Sequence, residues 1–252
     1  MLVTQRQQRI LHNVREHAGA SVEDLSSALG VSPATIRRDL VRLEEMGLIR
    51  RVRGGAMPLA QDGVLPLPES REGHRAQEKR RIGAAAAAMV KDDSVIIIDA
   101  GTTTKQMVHH LAARRGLTVI TRDLRIALAL AQYPHIHCVF LGGSVRRSAS
   151  TAGTLVLRFL QQFHADQVFL GALGISLEEG IWTSDLEESL VKLESMRRSQ
   201  QCVILADSTK LGRSGGALVA PVSEMDVLVT DMEADPQVVE QLTRWGVTVV
   251  RA

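Results

Sequence analysis

Residues 31–56 have the sequence VSPATIRRDLVRLEEMGLIRRVRGGA, in which signals for a helix and for a following β-hairpin stand close together. Ser32 is expected to cap the helix, and Pro33 suits its first position, where the missing N–H costs nothing. Gly47 is expected to end the helix. The sequence LIRRVRGGA, residues 48–56, predicts a short β-wing that carries Arg50, Arg51 and Arg53.

The predicted helix has one apolar and one polar face. Ile36, Leu40 and Leu43 recur at i, i+4 and i+7, which predicts the buried side. The same spacing turns Ala34, Arg38 and Arg42 outward, with Thr35 and Arg37 on the flanks, so the surface offers small, hydroxyl and basic residues. Such a surface approaches base edges closely and neutralises phosphates, as a helix in the major groove of DNA must. For Asp39 two roles stay open, an ion pair with an arginine or a contact with DNA.

Two further helices are predicted before this one. Residues 4–17 carry apolar residues at helical spacing, and Ser21 is expected to cap a second helix that buries Leu25. Gly30 then permits a tight turn before the third helix. Residues 1–57 are therefore predicted to form a small winged helix-turn-helix domain.

Positive charge is concentrated in this domain. Residues 1–58 contain nine arginines, no lysine and six carboxylates, whereas the whole chain carries a net charge of only +2. Aromatic residues make up 3% of the chain, which disfavours binding of single strands by base stacking. Double-stranded operator DNA is therefore the expected partner. The residues expected to contact it are Ser21, Ser32, Pro33, Ala34, Thr35, Arg37, Arg38, Arg42, Arg50, Arg51 and Arg53.

A proline-containing linker is predicted at residues 58–74, which have three prolines and no sustained periodicity. In residues 75–252, continuous apolar runs alternate with helical segments. Such runs are typical of parallel strands covered by helices on both faces, so a larger, mostly parallel α/β domain is predicted. The runs lie at 95–99, 117–121, 137–143, 167–174, 202–207, 227–231 and 247–250.

The segment VIIIDAGTTTKQM, residues 95–107, is the clearest candidate for ligand binding in the larger domain. A buried strand is expected to end at Asp99, Gly101 permits a tight turn, and the threonines at 102–104 open the next helix. N–H groups at a helix N-terminus, together with hydroxyls, bind anions. The alternative is an ordinary strand–turn–helix in which a threonine caps the helix.

Both segments resemble the DeoR-type family of bacterial repressors. The family's signature VS-x-x-TIRRDL-x-x-LE is followed by a glycine and by a wing that ends in GGA, and the resemblance covers nearly the whole chain apart from the linker. It implies that Ser32, Thr35, Arg37 and Arg38 belong to the DNA-reading helix. It also implies a sugar-phosphate effector site at the DxGTTT segment, and a sensor domain similar to ribose-5-phosphate isomerase, glucosamine-phosphate deaminase and CoA transferase domains.

Four more segments match positions of this family. They are LGGSVR (141–146), GALGI (171–175), EESLVK (187–192) and LADSTKLG (205–212). Open α/β sheets bind ligands outside the carboxyl ends of their strands, where these segments are expected. Their arginine and lysines are expected to balance a phosphate, and their carboxylates to accept hydrogen bonds from sugar hydroxyls. The expected effector-binding residues are Asp99, Gly101, Thr102, Thr103, Thr104, Gly142, Gly143, Arg146, Gly174, Glu188, Lys192, Asp207 and Lys210.

One position departs from the family pattern. Relatives usually have an asparagine after the threonine that ends the second strand, whereas this chain has Thr121, Arg122 and Asp123. If the position lines the pocket, Arg122 changes its size and charge. The class of effector, a phosphorylated sugar or polyol, is unaffected, but its identity is left open.

Two enzyme functions compete with that of a regulator. A sugar-phosphate isomerase or deaminase with an appended DNA-binding domain would use the same carboxylates and lysine for proton transfer. The complete DNA-binding signature favours a regulator without catalytic residues, since a shared fold does not establish chemistry. A dinucleotide-binding enzyme is excluded because no strand is followed by G-x-G-x-x-G.

The remaining expectations concern cofactors, location and assembly. Cys138 and Cys202 have no metal-ligand spacing, and neither a metal nor a cofactor is expected. The N-terminus lacks an apolar signal segment, and no apolar run reaches the roughly 18 residues of a membrane span. A cytoplasmic protein without membrane contact is therefore expected. The family resemblance implies a homo-oligomer, either a dimer or a tetramer. It also implies that binding of the ligand releases the protein from its operator.

Overall fold

The computed structural model describes residues 3–16, 19–45, 49–52, 54–58 and 72–252. The chain divides between residues 74 and 75 into two compact units, called here the N-terminal unit and the C-terminal unit. Within the described residues, no helix combines the length and the apolar character that a membrane span needs.

The N-terminal unit contains three helices and a small antiparallel sheet. They are α1 (Val3–Glu16), β1 (Ala20–Ser21), α2 (Val22–Leu29), α3 (Pro33–Glu45), β2 (Ile49–Val52) and β3 (Gly55–Pro58). The sheet has the order β1-β3-β2. Its core includes Ile10 and Leu25 together with the predicted α3 face, Ile36, Leu40 and Leu43. The predicted winged helix-turn-helix fold is therefore confirmed.

The helix ends follow the local signals in the sequence. The Ser21 hydroxyl accepts the Asp24 N–H at 2.9 Å, and the Ser32 hydroxyl accepts the Thr35 N–H at 3.2 Å, so both predicted N-caps are present. Gly30 ends α2 with a φ of 64°, a left-handed conformation that glycine adopts without strain. The predicted helix end at Gly47 and residues 59–71 of the predicted linker lie outside the described residues.

The C-terminal unit is built on a parallel sheet of seven strands. Every pair of neighbours in it is parallel, and each of the seven predicted apolar runs supplies one strand. These strands are β4 (Val95–Ile98), β5 (Thr118–Thr121), β6 (His137–Phe140), β9 (Ala165–Gly171), β12 (Ser199–Leu205), β14 (Val227–Thr230) and β15 (Thr248–Arg251). Across the sheet they follow the order β15-β14-β12-β9-β4-β5-β6. The predicted α/β class is confirmed.

Helices and short strands complete this unit. The helices are α4 (Ala76–Ala88), α5 (Leu124–Leu130), α6 (Thr154–Leu160), α7 (Leu186–Arg197) and α8 (Pro236–Arg244), with 3-10 helices at Thr104–Ala113, Ser208–Lys210 and Val222–Glu224. The short strands are β7 (Ser144–Val145), β8 (Thr151–Ala152), β10 (Gly174–Ser176), β11 (Gly180–Thr183) and β13 (Ala217–Ala220). Strands β7 and β8 form a hairpin, and β10, β11 and β13 form a second antiparallel sheet.

Both faces of the large sheet are buried, which explains the continuous apolar runs. Ile96 and Ile98 pack into one core cluster with Ile82 of α4, whereas Ile97, between them, packs into the other cluster with Val191 of α7. Side chains alternate between the two faces of a strand, so each face of β4 needs its own apolar partners.

The strand order reverses between β4 and β9. Strands β5 and β6 follow β4 on one side of it in the sheet, and the chain then crosses back, so that β9 lies on the other side of β4. In open α/β sheets, such a reversal leaves a crevice at the carboxyl ends of the two strands, where ligands bind. The candidate ligand site should therefore lie after Ile98 and Gly171.

The helix after β4 differs from the prediction. It begins at Thr104 and is a 3-10 helix, rather than an α-helix opened by all three threonines. It packs against α4 so closely that a Cβ added to Gly83 would lie 2.5 Å from Cβ of Gln106. The sequence of the threonine segment does not indicate this 3-10 helix, because the packing depends on a different helix.

Candidate functional site

The outer face of α3 is a basic surface in solvent. Ala34, Arg37, Arg38 and Arg42 are exposed, as Ser32 and Pro33 are at its start. Thr35 is half-buried, and its hydroxyl lies 2.9 Å from that of Ser32. Exposed guanidinium groups on one helix face can reach both phosphates and guanine edges.

Asp39 belongs to the interior of the unit. Its carboxylate is buried and accepts a hydrogen bond from Nε of Arg6 at 2.5 Å. Of the two roles left open for Asp39, the structure shows the ion pair, which ties α1 to α3. Because Asp39 is paired, it places no unpaired negative charge behind the basic face.

The wing contributes further arginines. Arg50 and Arg51 are exposed on β2, and Glu44 of α3 accepts the Arg51 N–H at 2.7 Å. Arg53 lies outside the described residues. Ser21 serves as the α2 cap, and its hydroxyl also donates to the Asp24 carboxylate at 2.7 Å.

In the C-terminal unit, an ion pair spans the crevice where the strand order reverses. Lys192 of α7 donates to the carboxylate of Asp99, after β4, and to the carbonyl oxygen of Gly171, at the end of β9, the latter at 2.7 Å. The side chains of Lys192 and Asp99 are 4% and 2% exposed. A buried ammonium group therefore lies directly at the predicted ligand crevice.

Arg122 forms the centre of this buried network. Its Nη2 donates to Oδ1 of Asp99 at 3.0 Å, and its two terminal nitrogens form a fork on the carboxylate of Glu188. Its Nη1 also reaches the carbonyl oxygen of Thr151, at 3.0 Å, and the hydroxyl of Ser150, at 3.3 Å. Arg122 therefore joins the ends of β4 and β5 to α7 and to the β7–β8 hairpin.

Asp99 has its acceptor positions filled by the protein. Nε and Nη2 of Arg122, the ammonium group of Lys192 and the Ala100 N–H all donate to its carboxylate. A carboxylate offers about four acceptor sites. In this arrangement Asp99 positions two cations, and a direct bond from Asp99 to a sugar hydroxyl stays a prediction.

A second, more open ion pair flanks the network. Arg146, after the short strand β7, makes a two-pronged contact with Asp185, with N–O distances of 3.1 and 3.0 Å. Nη1 of Arg146 also lies 3.7 Å from Oε1 of Glu188. The Arg146 side chain is 26% exposed, so this cation is accessible to solvent whereas Arg122 is not.

The charges in the crevice hold one another in their ionised forms. Burial by itself would raise the pKa of Asp99, but Lys192 and Arg122 outweigh it and bring that pKa below its usual value. Burial would lower the pKa of Arg122, and its contacts with Glu188 and Asp99 instead raise it. Burial likewise opposes the effect of Arg146 on Asp185, whose pKa is lowered overall.

The threonine loop lies beside Asp99. Thr102 is buried and Thr103 is half-buried, whereas the hydroxyl of Thr104 is turned toward the main chain, 2.8 Å from the Asp99 carbonyl oxygen and 3.1 Å from that of Gly101. A Cβ on Gly101 would lie 2.9 Å from the Thr104 hydroxyl, so glycine permits this turn. The Thr104 hydroxyl therefore shapes the loop.

The other predicted residues lie around the same edge of the sheet. Gly142 and Gly143 connect β6 to β7, and Gly174 begins β10. Asp207 caps the 3-10 helix Ser208–Lys210, and its carboxylate accepts the Thr209 N–H at 3.1 Å. Asp207 and Lys210 follow β12, two strands from β4 and thus on the order of 10 Å away. The structure brings Asp99, Arg146, Glu188 and Lys192 into one network, whereas Asp207 and Lys210 stand at its side.

Sequence reasoning missed some members of this network. Asp185 was not predicted, although Asp185 and Glu188 have the spacing of a capping box and Asp185 does cap α7. That spacing was a usable signal. The roles of Ser150, Thr151 and the Gly171 carbonyl had no such signal, because they depend on contacts between segments far apart in the chain.

Comparisons with known proteins agree with this architecture. Residues 74–232 match the family model of the DeoR C terminal sensor domain, and residues 6–61 match that of the DeoR-like helix-turn-helix domain. The HTH-type transcriptional regulator GlpR of Haloferax volcanii is 33% identical over 251 residues, covering 99% of this chain and 98% of that protein. The HTH-type transcriptional repressor GlcR of Bacillus subtilis is 33% identical, with coverages of 96% and 93%.

Two further similarities bear on different parts of the chain. The glycerol-3-phosphate regulon repressor of Escherichia coli K12 is 31% identical over 96% of both chains. A solved ribose 5-phosphate isomerase A of Methanocaldococcus jannaschii aligns with 54% of this chain and 55% of its own, at 19% identity and a TM-score of 0.39. So low a score supports no conclusion about function.

Proposed function

The chain belongs to the DeoR family of DNA-binding transcription regulators, which makes it a regulator and not an enzyme, and we propose that it is a repressor released from its operator by a phosphorylated sugar or polyol. The observation that carries the proposal is the buried cation Lys192 at the strand reversal, beside the threonine loop. Two similar proteins are named repressors, one of them of a glycerol-3-phosphate regulon, which favours repression and a phosphorylated effector.

In the proposed complex, the phosphate lies against the loop of Thr102 and Thr103. Main-chain N–H groups there donate to it, and Lys192 directs two N–H groups to Asp99 and Gly171 and has a third to offer. Glu188 and Asp207 accept hydrogen bonds from the carbon chain's hydroxyls. Residues of the adjacent connections, Gly142, Gly143, Gly174, Arg146 and Lys210, complete the site.

We propose that α3 enters the major groove of the operator. Arg37, Arg38 and Arg42 face solvent on one side of α3, and Arg50 and Arg51 extend the basic surface onto the wing. This distribution lets α3 contact base edges while the wing holds phosphates.

We also propose that the regulator is a homo-oligomer. Leu155 and Phe159 of α6 are 57% and 47% exposed, and Leu186 and Leu190 of α7 are 66% and 44% exposed. Each pair is one helical turn apart, and the two helices contact each other. Large apolar side chains exposed on adjacent helices support a surface that a second copy covers.

The test replaces Thr103 by glutamate and, as a matched control, by glutamine. The two side chains have nearly the same size, but only glutamate places a negative charge where the phosphate is proposed to lie. Thr103→Glu should therefore abolish binding of a phosphorylated sugar in calorimetry, and operator affinity should no longer respond to that sugar. Thr103→Gln should retain at least part of the binding.

Two results would contradict the proposal. If Thr103→Glu binds the phosphorylated sugar as the unsubstituted protein does, the phosphate does not lie at this loop. If no phosphorylated sugar or polyol changes operator affinity of the unsubstituted protein, the sensor binds another class of compound. Titration of operator DNA without ligand serves as the check that each variant is intact.

A further inference from the structure

We propose that Arg122 makes this site select a phosphorylated sugar acid over the corresponding polyol phosphate, with the effector's carboxylate taking the place of Glu188 on the Arg122 guanidinium. This inference rests on the proposed function and specifies its effector. Arg122 distinguishes ligands that carry a carboxylate at the end opposite the phosphate from ligands that carry a hydroxymethyl group there.

The first support is the balance of charge in the crevice. The buried part of the network contains two carboxylates, of Asp99 and Glu188, and two cations, Arg122 and Lys192. Without Arg122 it would carry an excess negative charge, which would repel a ligand with two anionic groups. With Arg122 this buried part is neutral, so that repulsion is removed.

The second support is the geometry of Arg122 itself. Its Nη1 and Nη2 hold both carboxylate oxygens of Glu188, the two-pronged arrangement in which arginine binds carboxylates most specifically. The fork therefore already fits a carboxylate. Another carboxylate can replace that of Glu188 with the same hydrogen bonds and the same charge, whereas a hydroxyl would leave a buried guanidinium with one counter-charge fewer.

Glu188 is the partner that can be exchanged. Its side chain is 9% exposed, against 2% for Asp99, and Asp99 is also held by Lys192. When displaced, Glu188 has a second cation close by, because its Oε1 lies 3.7 Å from Nη1 of the more exposed Arg146. The exchange thus leaves no carboxylate without a cation.

The position of Arg122 also suits a ligand anchored at the threonine loop. Nη2 of Arg122 is 3.0 Å from Oδ1 of Asp99, and Thr103 lies four positions after Asp99 in the sequence. A phosphate at the loop therefore leaves the rest of a short carbon chain within reach of Arg122. The two anionic ends of one small molecule are matched by two separate sets of donors.

The experiment compares pairs of compounds that differ at one end only. The pairs are 3-phosphoglycerate and glycerol 3-phosphate, 4-phosphoerythronate and erythritol 4-phosphate, 5-phosphoribonate and ribitol 5-phosphate, and 6-phosphogluconate and glucitol 6-phosphate. Calorimetry and operator titration on the full chain give the affinity ratio of acid to polyol in each pair. We expect the acid of the best-binding pair to bind roughly 10-fold or more tightly, the factor contributed by a charge-assisted hydrogen bond.

Two substitutions should move this ratio in opposite directions. Arg122→Asn removes the fork and should bring the ratio to about one or below. Glu188→Gln keeps the shape but removes the competing charge, so the ratio should rise. Arg244→Asn, an exposed arginine on α8, is the control and should leave the ratio unchanged. A purely structural role of Arg122 would weaken both members of a pair alike, and Glu188→Gln would then not raise the ratio.

The outcomes separate the two proposals. If the polyol phosphates bind as tightly as the acids, the role of Arg122 is refuted and the sugar-phosphate sensor stands. If none of the eight compounds binds but another phosphorylated sugar does, the selection by Arg122 is refuted and the sensor function stands. If no phosphorylated sugar or polyol binds or changes operator affinity, both proposals are refuted. Should Arg122→Asn fail to fold, the wild-type ratio and the response of Glu188→Gln still decide the inference.

Discussion

The two units of this protein use basic side chains in opposite ways. On α3, Arg37, Arg38 and Arg42 are exposed to solvent, whereas the side chains of Arg122 and Lys192 in the C-terminal unit are 3% and 4% exposed and bonded to carboxylates. Exposed cations attract a polyanion over a distance and are screened by salt. Buried, paired cations respond only to a ligand that enters the crevice and either replaces a partner or accepts a remaining N–H group. The first arrangement suits DNA, and the second suits recognition of one small molecule.

The same difference governs what each cation does for stability. An exposed arginine can be removed at little cost to folding, because water replaces its contacts. Removal of one partner from a buried pair leaves an uncompensated charge in the interior, which destabilises a protein strongly. Substitutions in the crevice should therefore alter folding as well as binding, and substitutions on α3 should alter DNA binding alone.

The largest effect is expected for Asp99→Asn. Asparagine keeps the shape of the side chain, but Arg122 and Lys192 lose a common counter-charge. We expect the C-terminal unit to lose about 3–5 kcal/mol of unfolding free energy. Urea unfolding followed by tryptophan fluorescence measures this unit alone, because both tryptophans of the chain, Trp182 and Trp245, lie in it.

A matched control uses an exposed pair in the same unit. Glu240 and Arg244 are 64% and 73% exposed and lie one helical turn apart on α8. Glu240→Gln should cost no more than about 0.5 kcal/mol. If Asp99→Asn costs no more than this control, the crevice charges are not a buried network in solution, and the contrast between the two units fails.

A medium effect is expected for Arg38→Ala, on operator binding. If Arg38 contacts a base edge, specific affinity should fall by about 1–3 kcal/mol. Unfolding followed by far-ultraviolet circular dichroism, which reports the helices of both units, should be unchanged. Titration of operator and of unrelated DNA at several salt concentrations makes the measurement. Arg244→Ala removes another exposed arginine, from the other unit, and serves as the control. Unchanged operator binding by folded Arg38→Ala would show that α3 is not the recognition helix.

Much of this architecture is predictable because each element has its own local signal. The seven parallel strands follow from seven continuous apolar runs, since a strand buried on both faces tolerates few polar residues. The caps Ser21 and Ser32 follow from side chains that accept main-chain N–H groups three residues later. In the N-terminal unit, exposure on α3 follows from the helical period alone.

The crevice is less predictable, because its contacts join distant segments. An arginine after a strand is usually exposed, and the sequence indicates only that Arg122 departs from the family pattern. Its burial depends on Asp99, 23 residues earlier, and on Glu188, 66 residues later. The 3-10 helix at Thr104–Ala113 has a similar origin, since its close contact with Gly83 comes from another helix. Local patterns specify elements, and such pairings arise only when the elements pack.

The smallest effect concerns the ion pair between Arg146 and Asp185. Its side chains are 26% and 18% exposed, more than the buried cations of the crevice and less than an exposed arginine. Although burial opposes it, the hydrogen bond from Arg146 lowers the pKa of Asp185, so the stabilising contribution of Asp185 is present above its unfolded pKa of about 4 and is lost as the pH falls through the lower folded value. Asp185→Asn should therefore have a lower unfolding temperature than the unsubstituted protein at pH 7, with the difference shrinking from about pH 5 downward and disappearing only when the pH is below the lowered folded pKa. Thermal unfolding across this range measures it. Arg146→Gln supplies the control, because in that background only the Glu188 N–H and the Ser184 hydroxyl still lower the pKa of Asp185, so Asp185→Asn should show a weaker pH dependence. A difference that is constant with pH in the unsubstituted background would mean that the cap at α7, and not the charge, is what Asp185 contributes.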